Sequence, residues 1–141
     1  MARVSLPPGY ALLPGPPSVA DYLDLRVRAG LSLKTEAQPR AALAGGWAAC
    51  RVEAGGGSVA MGRVIGDGGW YFHVLDMAVL PAHQRRGLGA AVLEFLLDEI
   101  RDRAPAEPWV TLLADEPGRP LYERFGFVET APGSVGMVLR R

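Results

Sequence analysis

The stretch VLPAHQRRGLGA, residues 79–90, joins an apolar strand pattern to the start of the longest amphipathic helix pattern in the chain. The first turn of a helix has unpaired N–H groups and a partial positive charge, so it attracts anions. Gly87 and Gly89 remove side chains that would hold a phosphate away from those donors. Arg85 and Arg86 add charge and forked donors that suit phosphate oxygens. These residues predict a phosphate or pyrophosphate site.

The patterns on either side of this stretch predict an α+β domain around one mixed, mostly antiparallel central sheet flanked by helices. The apolar run from Trp70 to Leu80 predicts a central strand covered on both faces, which Pro81 ends. Leucines at helical spacing predict a helix from Leu88 to Arg103. The other predicted elements are strands at residues 10–13, 47–54, 58–65, 109–113 (buried), 127–129 and 136–139, and helices at 18–30, 41–43 and 118–125.

The composition favours one soluble domain, residues 1–141, without a metal or a nucleic-acid partner. Lys and Arg together number 15, as do Asp and Glu, which argues against binding along a phosphate backbone. One Cys and two His exclude an internal disulfide and a multi-cysteine zinc site, and they fit a reducing compartment. Residues 1–8 lack the apolar core of a signal peptide, and no 18-residue apolar run is present to span a membrane. We therefore expect a cytoplasmic protein with no membrane partner.

Two other phosphate-binding patterns fit less well. A P-loop requires Gly-Lys-Ser/Thr, which the chain lacks. A dinucleotide-binding fingerprint would require Gly or Ala in place of Val92, and a parallel βαβ unit instead of the three antiparallel strands predicted before the motif. A dinucleotide-binding module therefore stays as a weaker alternative.

The segment from Gln84 to Gly89 matches the Gln/Arg-x-x-Gly-x-Gly/Ala motif of the GCN5-related N-acetyltransferase (GNAT) family. Met77-Ala78-Val79-Leu80-Pro81 precedes this motif, and LYERFGF, residues 121–127, resembles the family's C-terminal Leu-Tyr-x-x-x-Gly-Phe block. The order of elements resembles the family across nearly the whole chain, and least before Trp47. The resemblance implies a single GNAT domain that uses acetyl-CoA as cosubstrate, commonly as a homodimer.

The resemblance also implies roles for individual residues. The family's strand before the motif offers backbone groups to the pantetheine arm, and here these groups belong to Met77, Ala78 and Val79. The tyrosine that matches Tyr122 usually lies beside the thioester sulfur. The segment that wraps the pyrophosphate comprises Arg85, Arg86, Gly87, Leu88, Gly89 and Ala90.

Acetyl transfer requires a neutral amine, a donor for the oxyanion and a proton for the departing thiolate. The N–H of Val79 is the candidate oxyanion donor. Tyr122, a phenol with an ordinary pKa of about 10, is the candidate general acid, although a tyrosine in a C-terminal helix is also typical of a core. Strand alternation predicts that His73, Leu75, Met77 and Val79 share one face and that Asp76 points to the other.

His73 is the candidate general base and would act through water, since it lies about 20 Å from Val79 along the strand. A satisfied core histidine is the alternative interpretation. Asp76 is expected to hold a loop or a helix terminus by hydrogen bonds.

The resemblance to the GNAT family implies an acetyl-CoA-dependent N-acetyltransferase, and we expect it to act on a primary amine of a small molecule. Two alternatives stay open: a protein N-terminal or lysine acetyltransferase, and a non-catalytic domain that binds or senses acyl-CoA. The resemblance implies an acceptor near residues 25–35, and residues 70–72 would add aromatic surface nearby. Arg63 and Asp67 either line the mouth of that site or belong to a solvated hairpin.

Overall fold

A five-stranded sheet, with its strands in chain order, organises the protein, and the computed structural model describes residues 3–140. Met1, Ala2 and Arg141 lie outside the described residues. The two ends of the predicted domain, and the first two residues of the segment 1–8 that lacks signal-peptide character, therefore lie outside them as well. The strands are β1 (Ala11–Pro14), β2 (Ala48–Ala54), β3 (Gly57–Gly66), β4 (Tyr71–Val79) and β5 (Trp109–Leu112). The helices are α1 (Val19–Arg28), α2 (Ala37–Ala44), α3 (Leu88–Arg103) and α4 (Arg119–Arg124), with 3₁₀ turns at Pro81–His83 and Glu116–Gly118.

The sheet is antiparallel from β1 to β4 and parallel only between β4 and β5. That parallel pairing joins Tyr71–Val74 to Trp109–Leu112 and goes no further. The second half of β4 therefore has no pairing with β5. This mixed sheet with helices on both faces confirms the predicted α+β class. Within residues 3–140, no helix combines the length and the apolar character needed to cross a membrane.

Helix α3 packs closely on one face of the sheet because β3 carries a glycine beneath it. A Cβ added to Gly62 would lie 2.6 Å from Val92 of α3 and 2.7 Å from Met77 of β4, so any larger residue would push the layers apart. The buried face of α3 consists of Leu88, Ala90, Ala91, Val92, Leu93, Leu96 and Ile100. Its bounds are those that the leucine spacing predicts.

Helix α1 covers the opposite face of the sheet through Tyr22 and Leu25, which are buried against β3 and β4. The helix begins after Ser18, whose hydroxyl accepts a hydrogen bond from the N–H of Asp21 at 3.1 Å. This contact confirms the predicted N-cap. Helix α2 is longer than the short helix predicted at residues 41–43.

Strand β4 contains a bulge that the sequence analysis did not anticipate. Met61 pairs with Ala78 and Arg63 pairs with Leu75, so one residue of β3 faces two residues of β4. Asp76 lies in this bulge with a φ of 57°, in the left-handed region that Asp tolerates better than most residues.

The bulge reverses the alternation of side chains along β4. His73 and Leu75 lie on the face that α1 covers, whereas Met77 and Val79 lie under α3. The prediction that these four residues share one face is wrong, and so is the prediction that Asp76 points away from His73. One extra residue moves every later side chain of a strand to the other face.

The C-terminal part of the sheet also differs from the prediction. Strand β5 is an edge strand, and Trp109 is 54% exposed, so the predicted burial of this strand is wrong. Residues 127–129 and 136–139 form no strand, and Val128 and Met137 are almost fully exposed. High β propensity produces a strand only where a neighbouring strand and an apolar cover are available.

Candidate active site

Gly89 lies where the end of β4, the start of α3 and helix α4 meet, and these three elements carry the three segments that resemble the family. A Cβ added to Gly89 would make ordinary contacts with Leu121 of α4 at 3.4 Å and with Val79 of β4 at 3.8 Å, so the three elements lie against one another here. The first turn of α3 therefore lies between the end of β4 and α4. Tyr122 follows Leu121 directly, so its helix belongs to the same corner of the molecule.

The end of β4 presents backbone groups toward the side that β5 leaves open. The N–H of Leu80 donates to the carbonyl of Val59 at 2.9 Å. Hydrogen-bonded and non-hydrogen-bonded residues alternate along an antiparallel pair, so the N–H and carbonyl of Val79 point away from β3. The carbonyl of Val79 accepts a hydrogen bond from Nε2 of Gln84 at 3.1 Å. The Val79 N–H consequently faces the gap in which the sequence analysis expects the thioester.

The loop before α3 leaves the start of that helix accessible. Arg85 and Gly87 have φ values of 64° and 82°, and Gly87 is the N-cap, with no side chain bonded to the first N–H groups. Arg85, Arg86 and Gly87 are exposed. Leu88 and Ala90 bury their side chains in the core, so only their backbone groups remain for a ligand. Exposed arginines beside uncapped N–H groups are a fit for a pyrophosphate.

A side-chain network fixes one of the two arginines. Nη1 of Arg86 donates to the hydroxyl of Tyr10 at 2.9 Å, and the guanidinium lies 6.0 Å from the centre of that ring. The same hydroxyl lies 2.8 Å from Nδ1 of His83. The loop is thereby tied to the segment that leads into β1. Arg85 makes no hydrogen bond with residues 3–140, which leaves its guanidinium available to an anion.

Tyr122 is held by packing on both sides of its ring. A Cβ added to Gly118 would lie 2.9 Å from Cε2 of Tyr122, and the ring of Phe127 stands edge-on at 6.1 Å between centroids. Burial, and to a smaller degree the charge of Asp115, raises the pKa of the Tyr122 phenol. The phenol therefore keeps its proton at neutral pH.

His73 lies near the start of β4 and forms a side-chain pair with β5. Its Nδ1 is 2.8 Å from Oγ1 of Thr111, the residue opposite it in the parallel register. Burial lowers the pKa of His73, so the imidazole is neutral at pH 7. The structure does not bring His73 to the end of the strand, where Val79 meets Gly89.

Asp76 is the centre of a buried polar cluster that the sequence analysis missed. One carboxylate oxygen accepts from Nη1 of Arg26 at 2.5 Å, and the other accepts from Nε of Arg63 at 2.6 Å and from the hydroxyl of Tyr22. The Asp76, Arg26 and Arg63 side chains are all 10% exposed or less. The sequence does carry one signal of this cluster, which is the acidic residue Asp76 within an apolar strand pattern. A buried carboxylate needs cationic partners, so such a residue indicates a buried ion pair.

A cavity of about 270 Å³ lies beside this cluster, between α1, α2 and β4. It is lined by Tyr22, Arg26, Lys34, Gln38, Pro39, Ala42, Arg63, Leu75 and Asp76. A larger cavity of about 360 Å³ lies near the start of β2 and the end of α3, and Arg63 is the one candidate site residue in its lining. The smaller cavity is the relevant one for chemistry at β4, since Asp76 directly precedes Met77.

The family model of the acetyltransferase (GNAT) domain matches residues 46–129, which is more than half of the chain. The chain belongs to the GNAT family. The match spans the motif at Gly87 and Gly89 and the block that contains Tyr122. It confirms the family resemblance given in the sequence analysis.

Individual relatives agree with this family membership. A "Probable Acetyltransferase" from meticillin-resistant Staphylococcus aureus has a TM-score of 0.89 and 33% identity, over 94% of this chain and 99% of that one. The [ribosomal protein bS18]-alanine N-acetyltransferase of Escherichia coli K12 is 42% identical over 57 residues, 40% of this chain and 38% of that enzyme. The crystal structure of the E. coli S18 enzyme has a TM-score of 0.71 at 22% identity, over 86% of this chain and 79% of that one. The sequence match thus spans well under half of the length of that curated relative.

The cavity beside Asp76 contains some of the residues expected near the acceptor and not others. Arg63 lines the cavity at Asp76, whereas Oδ1 of Asp67 accepts the N–H groups of residues 69–71 and stabilises the turn. Phe72 is fully buried in the core, so it presents no surface to an acceptor. Residues 25–35 contribute Arg26 and Lys34 to the cavity lining.

Within the described part of the chain, no three His, Cys, Asp or Glu side chains come together as metal ligands. Burial raises the pKa of the Cys50 thiol to about 12, which keeps it protonated and unreactive at neutral pH.

Proposed function

We propose that this GNAT enzyme transfers an acetyl group from acetyl-CoA to a primary amine of a small molecule. The observation that carries the proposal is the start of α3, which no side chain caps, beside the end of β4, which does not pair with β5. A pyrophosphate at Gly87 to Ala90 would receive the helix N–H groups and the charge of Arg85 and Arg86. The pantetheine arm would then run along Met77 to Val79, whose free backbone edge suits an amide-containing chain.

The proposed reaction is a direct transfer. The amine nitrogen attacks the thioester carbonyl carbon, the carbon–sulfur bond breaks, and the amide keeps the acetyl group. The N–H of Val79 donates to the carbonyl oxygen as negative charge develops there. The thiolate takes a proton from Tyr122, and the proton of the attacking amine passes through water to His73.

Two observations support these roles. A phenol with an ordinary pKa of about 10 is protonated at neutral pH, as the acid role requires, and burial raises the pKa of Tyr122 further. The lowered pKa of His73 means that the imidazole is free to accept one. His73 lies on the same face of the sheet as Leu75, which lines the cavity, and this is the side from which an acceptor would approach.

A protein N-terminus is the second candidate acceptor, because the E. coli relative is named as an alanine N-acetyltransferase of a ribosomal protein. The test is thiol release from acetyl-CoA, followed with DTNB, across amino acids, simple amines and peptides that begin with alanine. Release with small amines and not with peptides is expected. Release with peptides alone would favour the second candidate, and tight acetyl-CoA binding with no release would contradict acetyl transfer.

A cytoplasmic location is part of the proposal, since Cys50 is a free, buried thiol.

Gly89→Asp is expected to weaken acetyl-CoA binding at least about tenfold, or 1.4 kcal/mol. The carboxylate would neutralise part of the positive charge at the helix start, and it would repel the negatively charged pyrophosphate. Gly89→Ala is the matched control, because its Cβ would make only ordinary contacts with Leu121 and Val79. Calorimetry on both variants measures the difference. Equal dissociation constants for the Asp and Ala variants would refute the pyrophosphate position.

His73→Gln is expected to lower kcat/KM by about 100-fold, within the range for general acid–base catalysis. In the native enzyme, kcat/KM should be at its full value above pH 6.5 and fall as the pH drops through the lowered pKa of His73, where the imidazole gains a proton. The variant should lose this acid limb and keep its affinity for acetyl-CoA. A pH profile that retains the limb in the variant would remove His73 from the mechanism.

A further inference from the structure

The cavity between α1, α2 and β4 carries more positive than negative charge. Three cationic side chains line it, Arg26, Arg63 and Lys34, and Asp76 is the one acidic side chain among the lining residues. Both arginines bind that single carboxylate. The residues that line the cavity therefore contain two positive charges that no acidic side chain among them balances.

The acidic residues near the cavity are engaged elsewhere. Glu36 pairs with Arg40 at 2.6 Å, and Asp24 pairs with Arg28 at 3.1 Å, on exposed faces of their helices. Asp21 accepts from the N–H of Ser58. These carboxylates do not neutralise the lining, and an anion that enters the cavity would meet a net positive field.

Arg63 has donors that the protein leaves unused. Its Nε binds Asp76, while its two Nη groups make no hydrogen bond with residues 3–140, although its side chain is nine-tenths buried. Within residues 3–140 every buried side-chain N or O atom has a hydrogen-bond partner, so these Nη groups reach solvent. An entering anion can therefore accept from them without displacing a protein partner. Arg26, by contrast, also donates to the carbonyl and the hydroxyl of Ser32, so it is the better satisfied of the two.

We propose that the acceptor carries an anionic group, a carboxylate or a phosphate, that binds Arg63 and Lys34. This inference rests on the proposed function, because it makes the cavity the acceptor side of the acetyl-transfer site. The cavity opens next to Asp76, one residue from the strand end assigned to pantetheine. Its volume of about 270 Å³ is at the small end for ligand pockets, which favours a compact acceptor. Free amino acids fit this description better than protein N-termini, because a free amino acid carries an α-carboxylate where a protein N-terminal residue has a neutral peptide bond.

The test measures binding separately from catalysis. Calorimetry on the CoA-loaded protein compares glycine, alanine, leucine, phenylalanine and glutamate with their α-amides at constant ionic strength. A second arm compares O-phosphoethanolamine with ethanolamine. We expect at least one acid to bind about tenfold more tightly than its neutral partner. The arm with the larger preference identifies the carboxylate or the phosphate as the anion.

Variants of Lys34 assign the preference to this cavity. Lys34→Gln should reduce the preference for the acid about threefold or more, and Lys34→Arg should keep it. Arg40→Gln is the control, since Arg40 is exposed and does not line the cavity. Lys34 is half-buried and outside the Asp76 cluster, so its replacement should leave the fold intact.

Two outcomes would overturn the inference. One is that none of the anionic ligands binds more tightly than its neutral partner. The other is that Lys34→Gln keeps the full preference. Failure of the proposed function would be visible separately, as selective binding of an acid without thiol release from acetyl-CoA.

Discussion

Replacement of Tyr122 with Phe is expected to lower kcat about 100-fold, at the low end of the range for loss of a general acid. The departing thiolate would have to leave without a proton from the phenol. The Phe ring would keep the packing against Gly118 and Phe127, so the fold should not change. Single-turnover thiol release with an acceptor from the amine panel measures the chemical step directly.

The Tyr122→Phe result is informative only beside two other measurements. The dissociation constant of acetyl-CoA and the Tm should both stay near their native values, since the hydroxyl makes no hydrogen bond with residues 3–140. If kcat stays within a few-fold of the native value, the acid role is wrong. If kcat and acetyl-CoA affinity fall together, Tyr122 binds the cosubstrate instead of protonating it.

Asp76→Asn is expected to cost about 3–5 kcal/mol of the free energy of unfolding, the loss typical of a buried ion pair from which one partner is removed. Arg26 and Arg63 would stay buried without a counter-charge, and Tyr22 would lose a charged acceptor. Asn has nearly the same shape and also tolerates a positive φ, so the bulge itself should persist. The change therefore isolates the charge.

Urea unfolding of Asp76→Asn and of Glu36→Gln gives the comparison. Glu36 forms an ion pair with Arg40 in which both side chains are about two-thirds exposed, so its loss should cost less than about 1 kcal/mol. Similar losses in the two variants would mean that the Asp76 cluster is hydrated and not a buried network. Since Arg26 also holds Ser32, we expect the segment between α1 and α2 to loosen in Asp76→Asn and weaken acceptor binding.

The bulge divides the side chains of β4 between the two faces of the sheet. His73 and Asp76 share the face of the cavity, while Met77 and Val79 share the face of α3. A single strand thus supplies side chains to the proposed acceptor side and backbone groups to the proposed cosubstrate side. The bulge between them makes this division possible.

The amino-acid sequence by itself determined the elements whose signal is local. The leucine spacing defined α3 from Leu88 to Arg103, and Ser18 defined the start of α1. The motif at Gly87 and Gly89 identified the family, because a tight backbone turn at a helix start depends on residues that are neighbours in the chain. Periodicity and turn chemistry are properties of short segments, so one sequence is enough to read them.

Only the tertiary structure decided the features that depend on distant residues. The bulge at Asp76 is a matter of register between β3 and β4, which no pattern within β4 reveals. The exposed edge at β5 and the unpaired C-terminal residues depend on which strands find a partner. The Asp76 cluster joins positions 22, 26, 63 and 76, and the charge of the cavity follows from their meeting. Such contacts form across the fold, where the spacing of residues along the chain carries no information about them.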